Sequence, residues 1–160
     1  MDEEVEAFAE RSLDHTAFPY AFLDATYCKA RVNHRIASQA VVIATGVSAQ
    51  GRREVLGFSV GDSETRAFWT EFLRSLRSRG LGGVHLVVSD SHAGLVAAVE
   101  AVFLGAAWQR CRVHFVRDVL AKVSKGSGEM VAATIRTIFA QADAEAVRTH
   151  LDTVATMLGR

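Results

Sequence analysis

Proline is almost absent from this chain: Pro19 stands alone among 160 residues. With nearly half of the residues hydrophobic, such a composition excludes a disordered tract or a proline-rich linker and describes a folded body. Cysteine is scarce as well. Cys28 and Cys111 are too few for a disulfide framework, so a reduced, intracellular setting is the expectation. Neither sign of charge is in excess, because 18 Lys and Arg balance 18 Asp and Glu. Net charge therefore gives no support to nucleic-acid binding, and the scattered basic residues read as solvated surface. No apolar run approaches the length that crosses a bilayer, so no membrane partner is expected. The acidic start, Met1-Asp2-Glu3-Glu4, lacks the apolar region of a secretory signal. The length suits one domain with its own core.

What is there is ordered around Val84-His85-Leu86-Val87-Val88-Ser89-Asp90. This short apolar run follows Gly82-Gly83 and ends on a carboxylate, as a strand buried on both faces would. Leu95, Val96, Val99, Val102 and Phe103 follow at helical spacing. Ligands of α/β sheets bind beyond the carboxyl ends of strands, and Asp90 falls at such a place.

Upstream, residues 2–13 predict a short amphipathic helix with Val5, Phe8 and Ala9 on one side, and Phe18-Pro19-Tyr20 a connector. Residues 21–30 predict a strand with Asp24 in its middle, sharing a face with Phe22 and Thr26. Val32-Asn33-His34 reads as a turn, followed by strands through Ala40–Ala44 and from Glu54 to Val60. A helix follows, capped by Asp62 or Ser63 and stopped at Gly80. Beyond the central strand, Ala106–Gln109 predicts a short fifth strand, and helices are expected over roughly 115–123, 129–140 and 143–158. Three consecutive strands, helix, strand, helix, strand and then helices is the ribonuclease-H-like plan: an antiparallel meander extended by parallel strands, with helices on the faces.

In that plan the first and fourth strands lie side by side, which lets Asp24 and Asp90 meet. Two carboxylates close together repel unless a cation lies between them. Mg²⁺ binds through one or two carboxylates plus phosphate oxygens, and a metal pair held so promotes phosphodiester displacement. From spacing alone, an edge-exposed Asp24 and an Asp90 that caps the next helix is the plainer account. Lys29, Arg31, His34 and Arg35 form a basic cluster just past Asp24 that would hold phosphates beside a metal site, or need no function as a charged hairpin tip. His92 either points at the same cleft or occupies the first helical turn. Cys111-x-x-His114 is half of a zinc pattern with no second pair, so a buried thiol and a hydrogen-bonded histidine is its ordinary reading.

Several stretches, in order, resemble the Mutator-type transposases of the IS256 group: Leu23-Asp24-Ala25-Thr26-Tyr27, Gly51 to Gly57, Glu64 with Trp69, Leu76 through Arg79-Gly80-Leu81, Val87 through Asp90-Ser91-His92-Ala93-Gly94-Leu95, and Gln109-Arg110-Cys111-Arg112-Val113-His114. The resemblance covers about residues 15 to 140. It implies a DDE transposase with a ribonuclease-H-like core, in which Asp24 and Asp90 match the first two catalytic aspartates and metal ligands. Cys111 and His114 match the C-x-x-H element. The implied reaction is Mg²⁺- or Mn²⁺-dependent cleavage of transposon ends and strand transfer to target DNA, by cut-and-paste or copy-type transposition. The implied partners are transposon-end and target DNA, with self-association or pairing with full-length transposase a further one, in the bacterial cytoplasm at the nucleoid.

The sequence departs from the pattern in several places. The family's third carboxylate, a glutamate, follows a long all-helical insertion, and Glu129 and Glu145 are the glutamates after His114 here. Leu104 and Asp118 stand where a proline and an asparagine are expected. The expected organisation is a helix and connector over 1–20, a partial core over 21–114 and the start of the insertion over 115–160. The expected protein is a transposase truncated at both ends and inactive alone. The alternatives are a non-catalytic remnant that binds DNA or transposase, and a small metal-dependent nuclease that completes its site with Glu129.

Overall fold

A computed structural model describes residues 3–32, 34–62 and 64–159, with the side chain of Val32 outside the description. The chain divides into two compact units, residues 1–111 and 112–160.

The first unit opens with α1 (Glu3–Glu10) and then builds the sheet from β1 (Tyr20–Val32), β2 (Arg35–Val47) and β3 (Arg53–Gly61). β1 and β2 pair antiparallel over their whole length, from Tyr20 opposite Val47 to Val32 opposite Arg35. The residues expected in the turn include Asn33, which lies outside the described residues, and His34, which takes a positive φ of 62°. β3 pairs antiparallel with β2 through an irregularity between Ala44 and Thr45, and Leu56 beside it is wholly buried. After α2 (Arg66–Ser78), β4 (Leu86–Ser89) runs parallel to β1; after α3 (Ala93–Val102), β5 (Ala107–Arg110) runs parallel to β4. The strand order is β3-β2-β1-β4-β5. This mixed five-stranded sheet flanked by helices is the ribonuclease-H-like plan that the order of elements predicts.

One face of the sheet carries the core. Ala21, Leu23, Val42, Ala44, Leu56 and Val87 meet Trp69, Phe72, Leu73 and Leu76 of α2 and Leu95, Val99 and Val102 of α3. Period-2 alternation in the strands and the 3.6-residue stripe of α2 bring these side chains together. Leu13 and Phe18 join the same core from the segment after α1 and are 0% and 1% exposed. Leu13 therefore lies past the helix end and not on the helix itself.

α2 starts later than expected. Its cap is Thr65, whose Oγ1 accepts the Phe68 N–H at 3.2 Å, rather than Asp62; Ser63 lies outside the described residues. The reason is that β3 continues to Gly61 and Asp62 is engaged by the Gln39 side-chain amide at 2.7 Å. The helix ends as expected. Leu81 N–H bonds Leu76 O and Gly80 N–H bonds Arg77 O, which is a Schellman closure. Gly80 has φ +100°, a conformation that costs L residues heavily.

The other sheet face is partly covered. Phe8 of α1 stacks on Phe58 with ring centroids 6.2 Å apart, while Tyr20, Phe22, Ile43 and Val55 stay exposed.

The second unit holds α4 (Arg112–Leu120), α5 (Gly128–Ile138) and α6 (Ala144–Leu158). Val131, Ile135, Ile138 and Val154 form its core, with Phe115, Val119, Leu120 and Val147 against them. Asp143 caps α6 by accepting the Ala146 N–H at 2.8 Å. α4 begins three residues ahead of the expected start at 115, so His114 falls in its first turn. No helix among the described residues is long and apolar enough to cross a membrane.

Candidate active site

Asp24 sits mid-strand in β1, on the face opposite Leu23 and the core, and is exposed. Asp90 is the first residue past β4 and is half-buried. The parallel pairing sets Tyr20 against Leu86, Ala21 against Val87 and Phe22 against Val88, a constant step of 66 residues. Carried two residues further, the same register sets Asp24 against Asp90, on strands spaced about 4.8 Å apart. On the β5 side, the last pair is Ser89 with Arg110, and Cys111 N–H bonds Ser89 O at 2.6 Å. By this extension Asp24, inside β1, and Asp90, just past the end of β4, stand on neighbouring strands although far apart in the chain.

Asp90 is not a helix cap. α3 begins at Ala93 with His92 as its N-cap, and the Asp90 Oδ1 instead accepts the Ser91 N–H at 2.6 Å. His92 is exposed and its side chain makes no capping bond.

The basic cluster does not gather round the acids. In the paired hairpin, side chains alternate, so Lys29 and Arg31, odd steps from Asp24, lie on the opposite face of β1. Five residues of strand put Lys29 about 16 Å away along the chain. Arg35, opposite Val32, shares the face of Asp24 but stands at the far end of the hairpin. Glu64 reaches Tyr27, also on the face away from Asp24. There the phenol is held above its ordinary pKa by desolvation first and the Glu64 carboxylate second.

Cys111 is half-buried, and the division between the two units falls just after it, with His114 in the second unit. Glu129 lies exposed in the first turn of α5 and Glu145 in that of α6.

Two hard oxygen donors suit Mg²⁺ or Mn²⁺, which complete their shells with water and phosphate oxygens. Among the described residues no group of three or more His, Cys, Asp or Glu is arranged to hold a metal. The donor set thus fits a divalent ion that takes its remaining ligands from elsewhere. A cavity of about 540 Å³ lies elsewhere, against His15, Phe18, Ser48, Arg52 and Glu54.

Sequence reasoning missed two residues that fasten Asp90. Ser89 is 1% exposed, donates its hydroxyl to Asp90 O at 2.8 Å and accepts the Trp108 indole N–H at 2.9 Å.

The sheet order and the flanking helices define a ribonuclease-H-like α/β domain. The chain belongs to the Mutator family of transposases: the family model described as "Transposase, Mutator family" matches residues 1–160. It is 47% identical over 160 residues to the transposase for insertion sequence element IS1081 of Mycobacterium tuberculosis, covering 99% of this chain and 38% of that protein. It is 34% identical over 148 residues to the transposase for IS256 in transposon Tn4001 of Staphylococcus aureus, covering 92% of this chain and 38% of the relative. The chain thus spans well under half the length of these relatives. Among solved structures, the Drosophila P element transposase strand transfer complex overlaps it with a TM-score of 0.42 and 14% identity, over 76% of this chain and 33% of that one.

Proposed function

We propose that this chain carries the first two acidic ligands of a metal-dependent transposase site, and that they serve cleavage of transposon ends and strand transfer to target DNA. The observation that supports this reading is the 66-residue register of Tyr20–Phe22 with Leu86–Val88, which two residues further on would set Asp24 against Asp90, in a chain of the Mutator family. Asp24 presents its carboxylate from a rigid central strand, and Asp90 presents one from a strand end, with Oδ1 oriented by the Ser91 N–H. Held on the sheet in this way, the two carboxylates would present a fixed pair of oxygen donors to a divalent ion. When bound, Mg²⁺ or Mn²⁺ activates the attacking oxygen and stabilises the leaving one. The third acid of the family pattern, a glutamate, has no match in these residues, so we assign this chain metal binding without full catalysis.

DNA is the partner in this reading. His92, exposed two residues after Asp90, would meet a phosphate near the site. Lys29, Arg31 and Arg35 lie further out on the β1–β2 arm and would track the DNA backbone away from the reacting phosphate.

The test is Mn²⁺ binding by the purified chain, followed by electron paramagnetic resonance. Wild type should bind, and Asp24→Asn and Asp90→Asn should each weaken binding by at least tenfold. Binding that is unchanged in both variants would refute the assignment. A non-catalytic DNA-binding role is the second reading, favoured by the exposed basic residues Lys29, Arg31 and Arg35 of the β1–β2 hairpin. It predicts a gel shift of DNA at low salt that survives both substitutions.

A further inference from the structure

Asp90 is the first residue past β4, whose last paired residue is Ser89, opposite Arg110. A carboxylate on such a strand end needs something to fix the backbone beneath it. The structure supplies a chain of donors. Trp108, in β5, gives its Nε1–H to Ser89 Oγ at 2.9 Å. Ser89 Oγ gives its own proton to the Asp90 carbonyl at 2.8 Å. That carbonyl shares one planar peptide unit with the Ser91 N–H, and the Ser91 N–H bonds Asp90 Oδ1 at 2.6 Å. Holding the oxygen of the plane therefore aims its N–H, and the N–H aims the carboxylate.

We infer that Trp108 is a positioning residue for Asp90, acting through Ser89 and the Asp90–Ser91 peptide. The inference rests on the reading of Asp90 as a cation ligand. Trp108 belongs to the partly buried rim of the core, where a phenyl ring would pack almost as well. What phenylalanine cannot do is donate. Trp69, the other tryptophan, shows the contrast: it is 0% exposed, and its Nε1 has no hydrogen-bond partner. Ser89 is likewise specific. With Ser48 it makes up the buried polar set among the described residues, and its hydroxyl both accepts and donates on the line from Trp108 to Asp90.

The experiment measures two things on the intact chain: Mn²⁺ affinity by electron paramagnetic resonance, and hydrogen exchange at the Ser91 amide by NMR without metal. Trp108→Phe and Ser89→Ala should each weaken Mn²⁺ binding about tenfold, as loss of a group behind a metal ligand does, and should speed Ser91 exchange. Trp69→Phe is the control for core damage. It should lower the melting temperature at least as much as Trp108→Phe while leaving Mn²⁺ affinity within about twofold. If Mn²⁺ binding is lost in Asp90→Asn but unchanged in Trp108→Phe, or if Ser91 exchange does not move, the positioning role is wrong and the metal site stands. If wild type and Asp90→Asn bind Mn²⁺ alike, the metal site itself is wrong and the positioning role falls with it.

Discussion

Arg79 and Gly57 should be energetically coupled, although they lie in α2's C-cap and in β3. The Arg79 Nη2 donates to Leu56 O at 2.6 Å, and Nη1 reaches Arg11 O at a long 3.4 Å. Burial, and after it the neighbouring Arg11, lower the Arg79 pKa, yet an arginine remains charged. One good charge-assisted bond is worth about 1.5–3 kcal/mol, and the long contact adds little. Arg79→Met should therefore cost about 2 kcal/mol, and Arg79→Lys about half as much. A Cβ at residue 57 would stand 2.6 Å from that same Nη2 and 3.1 Å from Leu76 Cδ2. Gly57→Ala must push the guanidinium off Leu56 O, so it also costs about 2 kcal/mol. In the Arg79→Met background the guanidinium is already gone, and only the Leu76 contact resists. The double variant should then lose about 2.5 kcal/mol where additivity would give 4, a coupling of about 1.5 kcal/mol. Urea denaturation followed by tryptophan fluorescence is the assay, because Trp69 and Trp108 both belong to residues 1–111. Losses that add within about 0.3 kcal/mol would show that the two residues do not share the Leu56 carbonyl.

Two glycines with positive φ separate backbone strain from lack of space. Gly80→Ala, at φ +100° with its Cβ 2.8 Å from Asp14 Cβ, should cost about 3 kcal/mol, and Gly105→Ala, at φ +85° with no described atom within 4 Å, about 1 kcal/mol in the same denaturation assay. Glu54 gives a pH signature. Desolvation raises its pKa, but hydrogen bonds and charge from Arg11 and His15 outweigh it, and the folded value lies below the ordinary 4.5. Its stabilisation is thus full above pH 4.5 and fades as pH falls through the depressed value, so the stability gap between wild type and Glu54→Gln should be clear at pH 7 and narrow as the pH is lowered below 4.5. If the chain binds DNA, replacing Lys29, Arg31 and Arg35 together with alanine should flatten the slope of log affinity against log salt by up to about 2.7. An unchanged slope would show that the arm does not touch phosphate.

What the sequence made legible and what it hid divide along local and non-local lines. Strand alternation and the stripe of α2 are local, so the elements and the core face could be read. The parity that puts Lys29 and Arg31 away from Asp24 was also local, since both sit an odd number of residues along one strand. Grouping them by proximity in sequence obscured it. The α2 cap moved to Thr65 because β3 runs on to Gly61 and Gln39 engages Asp62 from β2, a partner 23 residues away that no window contains. Trp108 and Ser89 were beyond reach for the same reason: 19 residues separate them, and only the register of two parallel strands joins them.

Net charge is the least local of these readings, because it averages over position. Between Asp24 and Glu54 there is no acidic residue, while Lys29, Arg31, Arg35, Arg52 and Arg53 all fall in that stretch. The four glutamates of α1, Glu3, Glu4, Glu6 and Glu10, offset them in the total. Three of the five, Lys29, Arg31 and Arg35, lie on the β1–β2 hairpin against the single acid Asp24, so the hairpin is a basic arm on a neutral chain. Counterion release depends on the cations that meet phosphate and not on the sum over the molecule. A zero total is thus no argument against a nucleic-acid surface, and the salt slope of the arm variant is the measurement that decides it.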